Sequence, residues 1–510
     1  MENSTNKSNN EIKYGSIISY VLIALNIVLG LIYTPWILHQ IGSSNYGLFT
    51  LASSLTALFL MDFGLSAMIT RYICIYRAKN DQSMINGFVR FSIKMYLFIM
   101  LVIACVLMIV YLNIDYLYKN MTVNELEMFK SVFLIVSFYI IICFPVNICN
   151  GILNAYEEYV LLKSSDIFNK LGTVIITIVV LMCNGGLIGL VLVNGIFNIT
   201  TFLLKVIIIL KKTPINLKLK KNNTFHFSKE ILSFQIWSTI QTLSQQMIFN
   251  LIPSILAIVL NTSAITLFGF ANVIEGYIFT ITNAINGLFL PKVSRIIVDD
   301  NNAKNTLPLM IKVGRINQLI ITLIIIGFLV LGEEFINLWV GSEYKNLYIC
   351  IILLCTPYLV SSSQQIANTS LVALNKIKYI AIINVITGIL NLVLIYNVAG
   401  KYGIIGVCCI IGFTFWIRIV LYNFLYYKLL SINIFDFFKE CHLKLLLPIL
   451  ISFIFAIVIN LYVPVSYIST NAWIQFLVKI ILIIFDYFVV MWLFGLNKFE
   501  KNLIFSFMNK

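Results

Sequence analysis

KKTPINLKLKKNNTFHFSKE, residues 211–230, is the longest polar interruption in a mostly apolar chain. Six lysines (Lys211, Lys212, Lys218, Lys220, Lys221, Lys229) stand there with one glutamate, the composition of a connection held on the cytoplasmic face of a membrane. The stretch also separates two similar halves. Leu48-Phe49-Thr50-Leu51-Ala52, downstream of Pro35, has a counterpart in Leu267-Phe268-Gly269-Phe270-Ala271, downstream of Pro253. Gly186-Leu187-Ile188-Gly189-Leu190, with Gly195 beyond, returns as Gly403-Ile404-Ile405-Gly406-Val407, with Gly412 beyond. Two distant matches at nearly one offset point to a duplicated bundle hinged on a basic loop.

Composition sets the class. With 510 residues, 60% of them hydrophobic and 11% charged, the chain has too little polar material to cover a soluble globule and reads as a polytopic membrane protein. The formal net charge of +14 is spread over short loops rather than gathered in one patch, so topology explains it and no nucleic-acid partner is expected. Cys105, Cys143, Cys183, Cys350, Cys408 and Cys409 sit in or beside apolar runs without paired spacing and read as small apolar fillers. No metal and no cofactor are expected. No cleavable signal peptide is expected either, because the polar start, residues 1–13, runs into an apolar stretch too long for a signal core.

Apolar runs of about 20 residues, enough to cross ~30 Å of hydrocarbon, can be laid out fourteen times. Six lie at 15–38, 46–70, 88–111, 131–149, 167–183 and 187–210, and six more at 231–260, 264–290, 311–331, 347–369, 379–399 and 404–427. Two others, 443–463 and 473–496, complete the set. The expected fold is therefore all-α, with about 14 transmembrane helices in two six-helix repeats that form two lobes around a central cavity, plus two extra C-terminal helices. The expected domains are an N-terminal lobe (1–210), a basic cytoplasmic linker (211–230), a C-terminal lobe (231–428) and a final pair of helices with a short tail (429–510). With the N-terminus inside, Lys119, Lys130, Lys345 and Lys401 fall outside, Arg418 and Lys479 fall within spans, and every other Lys and Arg falls at a cytoplasmic end or loop. That asymmetry supports the layout and puts both termini in the cytoplasm. An even number of crossings per half makes the repeats parallel, related by an axis along the membrane normal.

Charges and amides inside such a bundle are where function is sought. Arg90 and Lys94 share a helix face at the start of the third span, Lys312 and Arg315 occupy the equivalent place in the ninth, and Arg71 and Arg295 end the second and eighth. These cations either anchor the interface by snorkelling or meet an anionic head group, for which the arginine fork suits phosphate. Glu275 lies near the centre of the eighth span, and Arg418 about ten residues, or ~15 Å, from the cytoplasmic end of the twelfth. A charge at such depth costs ~2.5–3.5 kcal/mol on insertion scales, so both should face the bundle interior, as a structural pair or as an ion-coupling carboxylate for H+ or Na+ with a substrate cation. Gln235, Ser238, Thr242 and Gln245 recur at helical spacing on the seventh span. Asn26 lies in a thinner stripe on the first, with Ser19 and Tyr33, and Gln364 and Gln365 stand in a polar cluster on the tenth. Such residues serve as polar glue or as a lining that hydrogen-bonds sugar hydroxyls. Lys479 and Asp486, seven apart on the last span, are assigned to packing. Asp62-Phe63-Gly64 looks like the kinase metal triplet but lacks its companion loops, Gly185-Gly186 with Gly189 reads as a helix boundary, and His39, His226 and His442 are read as scattered in loops. No nucleophile, base or metal constellation emerges, so an enzyme is not expected.

Pro35 followed by Ile41-Gly42 and Tyr46-Gly47-Leu48, then Asp62-Phe63-Gly64-Leu65 with Arg71-Tyr72, and later Asn391-Leu392 with Tyr402-Gly403-Ile404-Ile405-Gly406, resemble the polysaccharide flippases. These are the Wzx-type O-antigen, capsule and teichuronic-type exporters of the multidrug/oligosaccharidyl-lipid/polysaccharide superfamily, and the resemblance covers nearly the whole chain. It implies movement of an isoprenyl-pyrophosphate-linked oligosaccharide from the inner to the outer leaflet of a bacterial cytoplasmic membrane by alternating access. Membrane lipids, a coupling ion, and a polysaccharide polymerase with glycosyltransferases are the implied partners. The first span lacks the arginine that some related lipid-linked precursor flippases carry there. A cation-coupled multidrug exporter on the same fold is the nearest rival. A polysaccharide polymerase would need a large outer loop, whereas the longest here, 112–130, is short.

The topology is directly testable. In a Cys-free background, cysteines at Asn223 and Asn375 should resist an impermeant thiol reagent added outside intact cells, while cysteines at Lys345 and Ser469 should react. Labelling at Asn223 would reverse the orientation.

Overall fold

The computed structural model describes residues 2–215, 229–287, 289, 292–293, 295–297, 303–463 and 471–508, so most of the 211–230 connection lies outside the described residues. The fold is all-helical, and no strand occurs among the described residues. The first helices are α1 (Glu2–Phe59), α2 (Leu65–Ala78), α3 (Gln82–Leu112), α4 (Ile114–Leu117), α5 (Val123–Cys143), α6 (Val146–Ala155), α7 (Tyr159–Met182) and α8 (Gly186–Lys212). They are followed by α9 (Lys229–Phe249), α10 (Ile252–Val259), α11 (Thr262–Gly287), α12 (Leu307–Trp339), α13 (Asn346–Cys355), α14 (Tyr358–Ser361) and α15 (Gln365–Ala373). The last are α16 (Ile377–Leu430), α17 (Ile434–Phe438), α18 (Lys444–Tyr462), α19 (Ala472–Val490) and α20 (Lys498–Met508).

Twelve helical segments among the described residues are long and apolar enough to cross a membrane. Two of them, Tyr14–Phe59 and Ile377–Leu430, have 46 and 54 residues. A straight helix of about 46 residues would reach ~69 Å, more than twice the hydrocarbon thickness. Each is broken at one glycine in a conformation that a side chain resists, Gly42 (φ 80°, ψ 165°) and Gly403 (φ 60°, ψ −154°). A count of fourteen crossings divides both segments at these glycines. Other spans break at proline, which has no N–H for the helical ladder. Phe144-Pro145 parts α5 from α6, and in the second half of the chain Thr356-Pro357 parts α13 from α14. Asp62-Phe63-Gly64 is a further break, with Phe63 (φ 49°) and Gly64 (φ 74°) left-handed and Asp62 Oδ1 accepting from the Ser66 N–H at 3.0 Å. The Gly185-Gly186 boundary is observed at the start of α8.

The chain forms two compact units, Met1–Gly269 and Phe270–Lys510. In the first, α3 shows how a span divides its surface. Phe98 (68% exposed), Leu101, Met108 and Ile109 form an outward apolar stripe, as a lipid-facing side requires, while Phe88, Ser92, Tyr96, Ile103 and Leu107 are buried. Tyr96 packs against Phe144 (centroids 5.3 Å apart), and Phe144 against Phe63 (6.0 Å).

The ends of three helices in this unit meet at a carboxylate. Thr122 and Glu125 form a capping box at the start of α5. Glu125 Oε1 also accepts from Ser44 Oγ (2.5 Å) and Thr262 Oγ1 (2.6 Å). Thr266 Oγ1 donates to Ser43 O (2.7 Å), and Asn120 Nδ2 to Ile258 O (2.7 Å). The backbones touch because residue 47 is glycine: a Cβ there would lie 2.4 Å from Thr262 O.

In the second unit, four ties run along one face of α12. Arg315 pairs with Glu500 (2.5 Å), Leu319 O accepts from Tyr487 Oη (2.7 Å), Val330 O from Asn460 Nδ2 (3.3 Å), and Glu334 pairs with Lys479 (2.7 Å). Ile326, Leu331, Leu445, Ala456, Phe476, Ile483 and Met491 fill the space around these ties, which fastens α18 and α19 to α12.

Glu125→Ala should lower the thermal stability of the detergent-solubilised protein by ~1–3 kcal/mol, because the Ser44 and Thr262 donors lose their acceptor. Glu127→Ala, at an exposed position on the same helix, is the control and should leave the melting midpoint unchanged.

Candidate functional site

The broken span α13–α15 brings polar side chains of the second unit together. Pro357 ends one helical piece, so Tyr358 begins the next with its side chain buried, and its hydroxyl donates to Glu275 Oε1 from α11. Glu275 is 5% exposed, and its other carboxylate oxygen has no hydrogen-bond partner among the described residues. Arg418, on α16, lies within electrostatic reach of Glu275, Tyr358 and Tyr422 and stacks on Phe415, its Cζ 3.9 Å from the ring centroid. Glu275 and Arg418, far apart in sequence, thus share one neighbourhood. A salt-bridge contact between them is absent among the described residues, so the carboxylate holds a tyrosine and sees the guanidinium at a distance.

Amides extend this cluster. Gln364, 2% exposed, donates through Nε2 to Asn423 Oδ1 (2.7 Å), and Tyr422 Oη donates to Asn384 Oδ1 (2.7 Å). Ser363 Oγ lies 3.1 Å from His442 Nε2. Gln365 is half-buried, its backbone oxygen taken by the Thr369 hydroxyl (3.0 Å). Chemically, the cluster offers a carboxylate with one open oxygen, a cation within electrostatic reach and several fixed amides. That set can exchange a proton or bind a small cation, because a carboxylate in a water-poor interior needs a positive partner.

The other cations differ in environment. Arg90 is half-buried, with Nε donating to Asn86 O (3.0 Å), and Lys94 and Arg71 are exposed. Arg295 is exposed and Lys312 lies 4.9 Å from the centroid of Phe499. Arg315, expected to match Arg90, is 4% exposed and fully engaged: Nε and Nη2 grip Glu500 (2.5 and 3.1 Å), Nη1 donates to Glu440 O (3.0 Å) and Nη2 to Gly495 O (2.7 Å). A guanidinium so occupied holds α20 to α12.

On the seventh span, Ser238 and Thr242 are half-buried and joined by a 3.0 Å bond from Thr242 Oγ1 to Ser238 O, Gln245 is exposed, and the side chain of Gln235 lies outside the described residues. Asn26 is half-buried on α1. Lys479 and Asp486 do serve packing, but not with each other: Lys479 pairs with Glu334, and Asp486 accepts from Ser452 Oγ (2.9 Å). The histidines need correction, since His39 lies within α1 and His442 within a continuous helical stretch between α17 and α18, while His226 lies outside the described residues. Tyr358, Tyr422 and Asn384 escaped the sequence reading. The proline before Tyr358 was the available signal, because a broken span is where transporters expose polar groups.

Arg315→Ala should leave Glu500 buried without its cation, a loss of ~3–5 kcal/mol, and should lower protein level and melting midpoint together. Arg90→Ala should leave both near wild type. Equal melting midpoints for the two variants would remove the structural assignment of Arg315.

No curated protein matches the chain. Among solved structures, the lipid II flippase MurJ in an inward closed conformation is similar over 96% of this chain and 99% of its own, at 16% identity and a TM-score of 0.68. An inward-facing multidrug resistance MATE family transporter of the MOP superfamily is similar over 82% of this chain and 98% of its own, at 14% identity and a TM-score of 0.64. The MATE multidrug transporter DinF-BH is similar over 83% of this chain and 95% of its own, at 15% identity and a TM-score of 0.55. At these identities the likeness shows the fold. A family model described as "Polysaccharide biosynthesis protein" matches residues 12–297, more than half of the sequence, and the chain belongs to that family of multi-span membrane proteins.

Proposed function

We propose that the protein is a flippase that carries an isoprenyl-pyrophosphate-linked oligosaccharide from the inner to the outer leaflet of a bacterial cytoplasmic membrane, for synthesis of a cell-surface polysaccharide such as O-antigen or capsule. The observation that carries this function is the buried Glu275, Tyr358 and Arg418 constellation at a broken span, in a chain of the polysaccharide biosynthesis family. Net transport needs a site that changes its charge balance between states, and a carboxylate held by a tyrosine near an arginine can do so by taking up H+ or Na+. Glu275 is the coupling carboxylate and Arg418 the internal cation that it releases or regains. Arg71, Arg90, Lys94, Arg295 and Lys312 are the candidate contacts for the pyrophosphate during alternating access. Ser238, Thr242, Gln245, Gln364, Gln365, Asn26 and Gln235 are the candidate sugar-facing lining. The lobes 1–210 and 231–428, the linker 211–230 and the final helices 429–510 are the working parts, with both termini cytoplasmic. Glycosyltransferases and a polymerase would supply the substrate and consume the product.

A cation-coupled multidrug exporter is the second function. The MATE structures cover 82–83% of this chain and the MurJ structure covers 96%, so the length of the fold favours the flippase.

The test is the sidedness of the lipid-linked oligosaccharide pool. Intact protoplasts are treated with an added glycosidase, and the pool is then extracted and sized. Deletion of the gene and Glu275→Gln should both leave the pool protected while drug tolerance is unchanged. Equal digestion in the deletion strain and the wild type would rule out the flippase, and loss of drug tolerance in Glu275→Gln would install the exporter.

A further inference from the structure

The first unit holds a cavity of about 210 Å³ between the second arm of α1, α5 and α8. Its wall is uncharged and mixes polar groups with the apolar side chains of Ala52, Val136 and Val191. Ser53 and Thr56 come from α1, Tyr139 from α5, and Asn194 and Asn198, one turn apart, from α8, with the ring of Phe49 beside them. Some of this polarity is consumed within the protein. The hydroxyls of Thr56 and Tyr139 pair at 2.7 Å, Asn194 Nδ2 donates to Leu190 O (2.8 Å), and Asn198 Oδ1 accepts from Asn169 Nδ2 (3.3 Å). An acceptor, Asn194 Oδ1, a donor, Asn198 Nδ2, and the exposed Ser53 hydroxyl are left without protein partners among the described residues.

The chemistry of this wall selects its occupant. No lysine, arginine, histidine or carboxylate is among its lining residues, so a pyrophosphate or a cationic drug would lose its hydration there without a counter-charge, at a loss of several kcal/mol. A wholly apolar occupant would strand the free amide and hydroxyl groups, which is also unfavourable in a membrane interior. A group with several neutral hydroxyls satisfies both conditions, because each hydroxyl can donate and accept. The space of about 210 Å³ is many times the ~10–15 Å³ that a single water needs on the same measure. One pyranose ring fits such a volume, and its apolar C–H surface suits the Phe49 ring.

We propose that this cavity is a subsite for one uncharged pyranose unit, separate from the charged cluster around Glu275. The source of the sugar, the oligosaccharide of the transported lipid, rests on the function proposed above; the binding itself does not.

The test uses the purified full-length protein in a zwitterionic detergent, because maltoside detergents carry sugar head groups of their own. Thermal unfolding is followed with a panel of methyl pyranosides that differ in single epimers or in an acetamido group, all at one concentration. Non-specific stabilisation by exclusion is then equal across the panel. One member should raise the melting midpoint above the rest in a saturable way. Asn194→Leu should abolish that selective rise, as should Ser53→Met, which fills the cavity from an exposed position and spares the core. Glu127→Ala should keep it. An equal response to every pyranoside, or a selective rise that survives both cavity variants, would overturn the subsite. Selective binding together with a freely digestible lipid-linked pool would instead keep the sugar site and remove the flippase.

Discussion

Hydrocarbon supplies no hydrogen bonds, and that constraint governs how each polar side chain in this protein is used. Helices satisfy most backbone groups of the described spans, and side chains carry much of the remaining demand. On α12 they meet it by gripping neighbours: Arg315 holds Glu500, Glu334 holds Lys479, and two backbone carbonyls between them take Tyr487 and Asn460. In soluble proteins such ties are modest, because water competes for both partners. Here they fix which helices pack together, since apolar surfaces alone discriminate poorly between one lipid-covered helix and another.

Each unit buries charge of its own, in a different setting. The Phe270–Lys510 unit holds Glu275 and Arg418 with Tyr358 and Tyr422 beside them, and Tyr422 in turn bonds Asn384. The Met1–Gly269 unit puts neutral amides and hydroxyls around its cavity, keeps Glu125 at the ends of α5 and α11 and the break of α1, and buries Lys205 of α8 against Asp166 (2.8 Å).

Much was legible before the structure. Span lengths, the basic connection and the loop charges give the all-α membrane class, because hydrophobic length and lysine placement are properties of local sequence. Gly403 was legible as part of a repeat and as the gap between the spans 379–399 and 404–427, while the continuation of both spans into one 54-residue helical segment bent at its positive φ was not. Glu275 and Arg418 were legible as expensive intramembrane charges, and their common neighbourhood was not. Arg315 shows the limit most clearly. By spacing it matches Arg90, yet Glu500, far downstream, occupies it, and no periodicity reports a partner at that distance.

That this chain crosses a membrane many times, and which residues are too polar to face lipid, follow from local composition, because transfer into hydrocarbon depends on some twenty residues at a time. The tertiary structure decided which of those polar residues are consumed as fasteners, such as Arg315, Lys479 and Glu125, and which keep an open atom, such as Glu275, Asn194 and Asn198. That difference depends on helices brought together from distant parts of the chain, and hydrogen bonding is a matter of distances within ~3 Å that only packing sets.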